Sequence, residues 1–173
     1  MMKSIFAGTR VEAFKVLEKN TKVIMIIATK NSKLLKYLSK RKKYLKNINI
    51  INKKNKLESF RIIKKTKAKI FLSAGFPFII PSKYFDKKKV MINSHPSFLP
   101  SYKGYNPIKD SYYNNEIFYG STLHFIDKKV DNGKIIFQKK INLKKKKLKD
   151  IYNILFSKVE PRVIAFGLKK LKI

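Results

Sequence analysis

The chain has no cysteine and no tryptophan, and only two histidines and ten acidic residues among its 173 positions. Without cysteine there is no disulfide framework, no thiolate metal site and no thiol nucleophile. The same absence fits a reducing compartment. With two histidines and few carboxylates the ligand supply for zinc is poor, so no metal is expected. No stretch approaches 18 consecutive apolar residues, which excludes an evident transmembrane helix. The opening "MMKSIFAGTRVEAF" has too short an apolar run for a signal peptide, and charge returns at Arg10 and Glu12. A soluble cytoplasmic protein without a membrane partner is therefore expected. "FAGTRVEAF" offers one glycine and no GxGxxG, so a dinucleotide pocket of the usual kind is not expected. A Walker lysine loop and a G-x-S-x-G nucleophile elbow are also missing.

What is abundant is lysine. Lys and Arg total 42, for a formal charge of +32, and such a surface attracts polyanions. Arginine, however, occurs only at Arg10, Arg41, Arg61 and Arg162. Bidentate recognition of phosphate and bases favours arginine. Lys, Asn and Ile are together the residues an A/T-rich genome writes at weakly constrained positions, and the lysines are dispersed. The charge reads as solvated surface shaped by composition, with a selected polyanion site as the alternative. A hydrophobic content of 44% fills a real core, and the length predicts one domain over 1–173.

Short apolar runs predict strands at 3–9, 22–28, 48–52, 69–75 and 89–94, those at 3–9, 22–28 and 69–75 buried. Helical spacing predicts helices at 11–19, 33–40 (capped by Ser32) and 56–65. This alternation is the βαβ signature and predicts a Rossmann-like, doubly wound, mostly parallel α/β sheet over 1–94. Ligands of such sheets lie beyond the C-terminal strand ends, which predicts a cleft at Gly8-Thr9, Ala74-Gly75-Phe76 and Asn93-Ser94-His95. Further on, a helix is predicted from Pro107, strands at 117–126 and 134–143 in antiparallel pairing, and a final helix over 148–173. Pro161 should kink or split that helix.

Within the predicted cleft, Asn93 and His95 follow a strand, and Asp131 lies in the turn-rich loop "DKKVDNG". These three suit attack of an amine on a carbonyl carbon. An Asn93 amide N–H and a protonated His95 can donate to the oxyanion, and Asp131 can orient the imidazole and raise its pKa. His, Asp or a bridging water can take the amine's proton. Each residue also has a structural reading: a hydrogen-bonded histidine at a strand end, a turn-capping asparagine, a turn aspartate. His124 reads as a satisfied buried imidazole, and Ser97 and Thr122 as turn or sheet residues.

Two stretches carry a resemblance. "NSHPSFLPSYKG" followed by "GSTLHFIDKKVDNGKIIFQ" resembles the folate-dependent formyltransferases, which have N-x-H-(P/G)-S-x-L-P-x-(aromatic)-(K/R)-G, then G-x-T-x-H, then D-x-G-x-I. The matching positions are Asn93, His95, Pro96, Ser97, Leu99, Pro100, Tyr102, Lys103 and Gly104, then Gly120, Thr122, His124, Asp131, Gly133 and Ile135. The segment "FLSAGFPFIIP" resembles the family's strand and loop along the folate pocket. The resemblance implies the formyltransferase fold and 10-formyltetrahydrofolate as formyl donor. It implies a primary amine as acceptor and Asn93, His95 and Asp131 as the catalytic trio. It further implies a donor pocket at Ala74, Gly75, Phe76, Phe78, Ile80, Phe125, Ile126, Asp127 and Val130. The acceptor would then meet Gly8, Thr9, Arg10, Ser97, Lys103 and Gly104.

The departures bear on the acceptor. "AGTRVEA" lacks the glycine-rich phosphate loop of glycinamide ribonucleotide formyltransferases. "FAGT" is similar instead to the methionyl-tRNA and amino-sugar enzymes, while "HPSFLPSYKG" is worded like the glycinamide ribonucleotide type. The tRNA enzymes tend to have Gly at the position of Pro96 and carry a C-terminal barrel, whereas this chain ends about where the catalytic domain does. The expectation is an N-formyltransferase acting on a small-molecule amine such as a nucleotide-linked amino sugar. The alternatives are a minimal methionyl-tRNA formyltransferase, a glycinamide ribonucleotide formyltransferase, and a folate- or polyanion-binding remnant without turnover.

Overall fold

A computed structural model describes all residues, 1–173. The chain divides between Ile92 and Asn93 into two compact units. The first holds β1 (Lys3–Gly8), α1 (Val11–Asn20), β2 (Lys22–Thr29), α2 (Lys33–Leu38), β3 (Ile48–Ile51), α3 (Lys56–Lys65), β4 (Ile70–Ala74) and the start of β5 (Val90–His95). β1 pairs in parallel with β2 and with β4, and β2 with β3, giving the order β3-β2-β1-β4. Every strand and helix predicted here is present, with ends shifted by a residue or two. Two short 3₁₀ segments, Lys42–Asn47 and Ser82–Tyr84, occupy connections without a periodic signal.

The local causes are those of the sequence. β4 is buried at every residue, as its uninterrupted apolar run requires for a strand covered on both faces. α1 buries Ala13, Phe14 and Leu17, and the Phe14 ring meets Phe6 and Tyr44 edge-on at 5.5 and 5.4 Å. Each such aromatic stabilises the unit by about 1.5–3 kcal/mol through burial. Ser32 caps α2 as expected, its Oγ accepting the Leu35 N–H at 3.2 Å. Thr21 gives its hydroxyl hydrogen to the Leu17 carbonyl, so the buried Ser4 hydroxyl donates to Thr21 Oγ1 at 2.7 Å.

After β1 the chain winds outward through β2 and β3, then crosses to β4 on the other flank of β1. That reversal makes the C-terminal ends of β1 and β4 a topological switch point, where ligands of such sheets bind. Gly8 and Ala74 are register partners there. Gly8 has φ +145°, and a Cβ on it would lie 1.9 Å from the Ala74 carbonyl oxygen, so no other residue fits.

The second unit holds the end of β5, α4 (Pro107–Tyr113), β6 (Phe118–Phe125), β7 (Ile135–Asn142), α5 (Leu148–Ile154) and α6 (Glu160–Lys170). Pro107 opens α4, as expected. β6 and β7 are antiparallel, with the register shifting between Leu123 and His124. The final helix is split. A π-helical stretch, Leu155–Val159, joins α5 to α6 just ahead of Pro161. Proline lacks an N–H and its ring crowds the carbonyl four residues back, here Ser157 inside the π stretch, where the wider turn makes room. Phe166 of α6 is exposed and stacks on Phe137, with ring centroids 5.4 Å apart. The seven strands, mostly parallel, with interleaved helices make this the expected Rossmann-like α/β class. No helix is long and apolar enough to cross a membrane.

Candidate active site

β5 delivers two of the expected residues. Side chains alternate along a strand, so Asn93 and His95 share one face and Ser94 takes the other. His95 is buried and Asn93 half-buried. Asp131 comes from the loop between β6 and β7. That loop is closed by the Phe125 N–H donating to the Lys134 carbonyl at 3.0 Å. Gly133 makes the closure possible, since a Cβ there would stand 1.8 Å from the Phe125 carbonyl oxygen. Asp131 itself adopts φ +49°, a left-handed conformation that aspartate tolerates better than most residues.

The three expected residues converge. Asn93 Nδ2 donates to Asp131 Oδ1 at 3.4 Å, and His95 Nδ1 lies 3.3 Å from Asp131 Oδ2. Oδ2 also accepts the backbone N–H of Gly104 at 2.9 Å. His95 Nε2 is 2.8 Å from the Tyr102 carbonyl oxygen. A carbonyl only accepts, so Nε2 carries the hydrogen and Nδ1 of the neutral ring is bare toward Asp131. Tyr102 holds φ +55°, costly for a bulky residue and of the kind concentrated at functional sites.

His124, expected as a satisfied buried imidazole, is buried with both ring nitrogens partnered, and it also joins this cluster. Its Nδ1 donates to the Phe125 carbonyl at 2.8 Å. Its Nε2 lies 3.2 Å from Asn93 Nδ2 and 3.5 Å from Asp131 Oδ1. Alternation along β6 alone sends His124 into a packed face. A register shift lies beside it, between Leu123 and His124. The available signal was the motif G-x-T-x-H. Two imidazoles thus each spend one N–H on a backbone carbonyl and turn the other nitrogen to one carboxylate.

Burial is the largest influence on His95. It pushes the imidazole below its ordinary pKa, outweighing Asp131 and the Tyr102 carbonyl, which both favour the charged ring; the charge of His124 adds to the lowering. The expectation that Asp131 leaves His95 protonated is therefore corrected, because desolvation of a ring in the apolar interior wins. For Asp131 burial also acts first, pushing the pKa up. The His124 hydrogen bond, the charge of His95 and the Gly104 N–H together overcome it and hold the carboxyl below its usual range. The resting cluster is a neutral His95 beside an ionised Asp131.

The supporting shell is hydrogen-bonded. Thr122 Oγ1 accepts the Leu99 N–H at 3.1 Å and lies 2.7 Å from the Ser97 carbonyl, fastening the turn after β5 to β6. Ser97 Oγ donates to the Ser101 carbonyl at 2.7 Å, so this expected acceptor residue is committed to the turn. Lys103 Nζ donates to Asn132 Oδ1 at 2.7 Å, beside Gly104. Phe125 and Ile126 are half-buried, while Asp127 and Val130 are exposed.

The remaining expected residues belong to the first unit, at its switch point. The Thr9 N–H donates to the Ala74 carbonyl at 3.1 Å and Thr9 Oγ1 to the Gly75 carbonyl at 3.2 Å. Gly8, Thr9, Arg10, Ala74 and Gly75 are thus brought together; a Cβ on Gly75 would stand 3.1 Å from Arg10 Nε. Phe76 and Phe78 follow with ring centroids 5.8 Å apart, and Ile80 is buried.

Comparison with known proteins adds the lineage. Methionyl-tRNA formyltransferase of Coprothermobacter proteolyticus is 43% identical over 73 residues, 42% of this chain and 24% of that protein. The trifunctional purine biosynthetic protein adenosine-3 of Chironomus tentans is 40% identical over 75 residues, 43% of this chain and 6% of that one. The matches thus span about a quarter or less of these relatives' length. Phosphoribosylglycinamide formyltransferase of Streptococcus pneumoniae TIGR4 shares the fold, with a TM-score of 0.82 over 100% of both chains at 19% identity. A sugar 3N-formyl transferase, solved with dTDP and 5-N-formyl-THF, aligns with a TM-score of 0.73 at 27% identity, covering 99% of this chain and 62% of that one. The family model for formyl transferase matches residues 7–165, through both units, and the chain belongs to that family of enzymes.

Proposed function

We propose that this protein transfers the formyl group of 10-formyltetrahydrofolate to the primary amine of a small molecule, such as a nucleotide-linked amino sugar. The observation that carries the reading is the convergence of Asn93, His95 and His124 on the Asp131 carboxylate, within 3.5 Å. In the transfer a bond forms between the amine nitrogen and the formyl carbon. The bond from that carbon to N10 of the folate breaks, the amine loses a proton and N10 gains one.

The chain's own groups divide this work. The oxyanion that develops on the formyl oxygen takes N–H donors from Asn93 and from neutral His95, whose Nε2–H is held at rest by the Tyr102 carbonyl. The bare Nδ1 of His95 is the proton acceptor. Asp131 faces it and stabilises the imidazolium that forms, as the aspartate of a Ser-His-Asp triad does. Within the second unit, the loop with Phe125, Ile126, Asp127 and Val130 supplies ligand contacts; Gly8, Thr9, Arg10, Ala74, Gly75, Phe76, Phe78 and Ile80 are the ligand-contact candidates at the first unit's own switch point. The acceptor side includes Lys103 and Gly104.

The test is incubation with 10-formyltetrahydrofolate and a panel of amino-sugar nucleotides, glycinamide ribonucleotide and aminoacylated initiator tRNA, read as mass gain of one formyl group. Formylation of an amino-sugar nucleotide supports the proposal; no gain with any amine overturns it. A tRNA acceptor is the second reading, favoured by the 43% match to a tRNA enzyme and the +32 charge. It predicts activity that collapses steeply with salt, because neutralised phosphates release counterions. Transfer to a small amine that persists in salt excludes it.

A further inference from the structure

Of the ten acidic residues, Glu160 is the most deeply buried, with 1% of its surface exposed. It has no part in the reaction described above. A buried carboxyl is costly unless hydrogen-bonded, and an apolar side chain of similar volume would fill the place without that cost. Its Oε1 accepts the Ser94 hydroxyl hydrogen at 3.0 Å, and Ser94 is itself buried. Ser94 sits between Asn93 and His95, on the opposite face of β5.

The helix is shaped to bring Glu160 there. From Leu155 the π stretch advances one turn in five residues instead of four, so the buried line Ile151–Leu155 continues at Glu160 as well as Val159. α6 then runs close along β6, where Gly167 admits Leu123; a Cβ at 167 would lie 2.3 Å from Leu123 Cδ2. Leu123 precedes His124. One helix therefore backs both strands that carry the cluster, at Ser94 and at Leu123.

We infer that the Ser94–Glu160 hydrogen bond is a positioning device, pinning the end of β5 to α6 so that Asn93 and His95 meet Asp131 at fixed distances. The inference rests on the reading of that cluster as the reacting one, but its test does not require turnover. The chain has only two histidines, so the pH titrations of both rings are resolvable by NMR.

In Glu160→Ala protein that still unfolds cooperatively, loosening admits water to His95. Its titration moves up, toward the ordinary histidine value. Ser94→Ala reproduces the shift, and the double variant adds nothing to it. Glu160→Gln, which keeps the acceptor oxygen, titrates as wild type. If Glu160→Ala does not fold, Ser94→Ala and Glu160→Gln decide. Unchanged His95 titration in Ser94→Ala overturns the inference, as does a Gln variant disturbed as much as Ala, which marks lost charge rather than a lost anchor. Failure of formyl transfer in the wild type would remove the catalytic reading and leave this result standing.

Discussion

Asp131 Oδ2 lies 3.3 Å from His95 Nδ1 while accepting the Gly104 N–H at 2.9 Å. One carboxylate oxygen thus serves both the imidazole and the turn that follows the histidine's own strand. The segment carrying Tyr102 and Gly104 closes the ring, because the Tyr102 carbonyl holds the far side of the same imidazole.

The first consequence is a pH dependence of stability. His95 is held below its ordinary pKa, chiefly by burial, so the native state binds fewer protons there than the unfolded chain. Stability from this group is full above the ordinary histidine value of about 6.5 and is lost as pH falls through the lower native value. Asp131 has the same sign in a lower window, beneath the ordinary aspartate value. Urea unfolding is expected to be insensitive to pH above about 6.5 and to weaken below it, by at most about 1.4 kcal/mol per pH unit for one proton. His95→Gln should flatten the upper part of that fall. Stability that rises on acidification through this range would contradict the assignment.

Two glycines of the site should respond to alanine by very different amounts. At Gly133 a Cβ collides with the Phe125 carbonyl at 1.8 Å, so the loop bearing Asp131 cannot close as it does. Gly133→Ala should cost more than about 3 kcal/mol in urea unfolding, or yield a folded protein with the loop open and transfer lost. At Gly104, φ is +99° but nothing lies within 4 Å of a Cβ. Gly104→Ala should cost only the backbone strain, about 1–2 kcal/mol. Equal costs at the two positions would refute this account of the loop.

Thr122 offers a test of the supporting shell. Its hydroxyl accepts the buried Leu99 N–H and lies against the Ser97 carbonyl. Thr122→Val has nearly the same shape but leaves that N–H without an acceptor, at a cost of about 1–3 kcal/mol. Thr122→Ser keeps the oxygen and should lose less. Equilibrium denaturation of both variants decides, and a Val variant as stable as wild type would remove the claimed role.

Much of this was legible before the coordinates. The uninterrupted runs at "KIFLSA" and "KVIMIIA" have one physical solution, a strand covered on both faces, and they fold so. Asn93, His95 and Asp131 stood out because amide, imidazole and carboxylate fell at a strand end and in a turn 38 positions on. His124 was read as a satisfied buried imidazole and is one; that its partners are Asn93 and Asp131 is not visible from alternation along β6. The protonation of His95 was misread because sequence shows the neighbouring carboxylate but not the depth of burial that opposes it. Glu160 was not singled out because a carboxylate is not expected on a buried face, although it falls in helical spacing with Val163, Ile164, Gly167 and Leu168.

The central claim is that His95, set against Asp131, promotes formyl transfer. Its most direct test is a single-turnover reaction with isotopically labelled 10-formyltetrahydrofolate and the amine that the panel identifies. Wild type and His95→Ala are compared, each shown to be folded. The account predicts label in the amine with wild type and a rate at least about 100-fold lower in the variant, the scale of a lost oxyanion donor. A His95→Ala protein that transfers the label at close to the wild-type rate would contradict it.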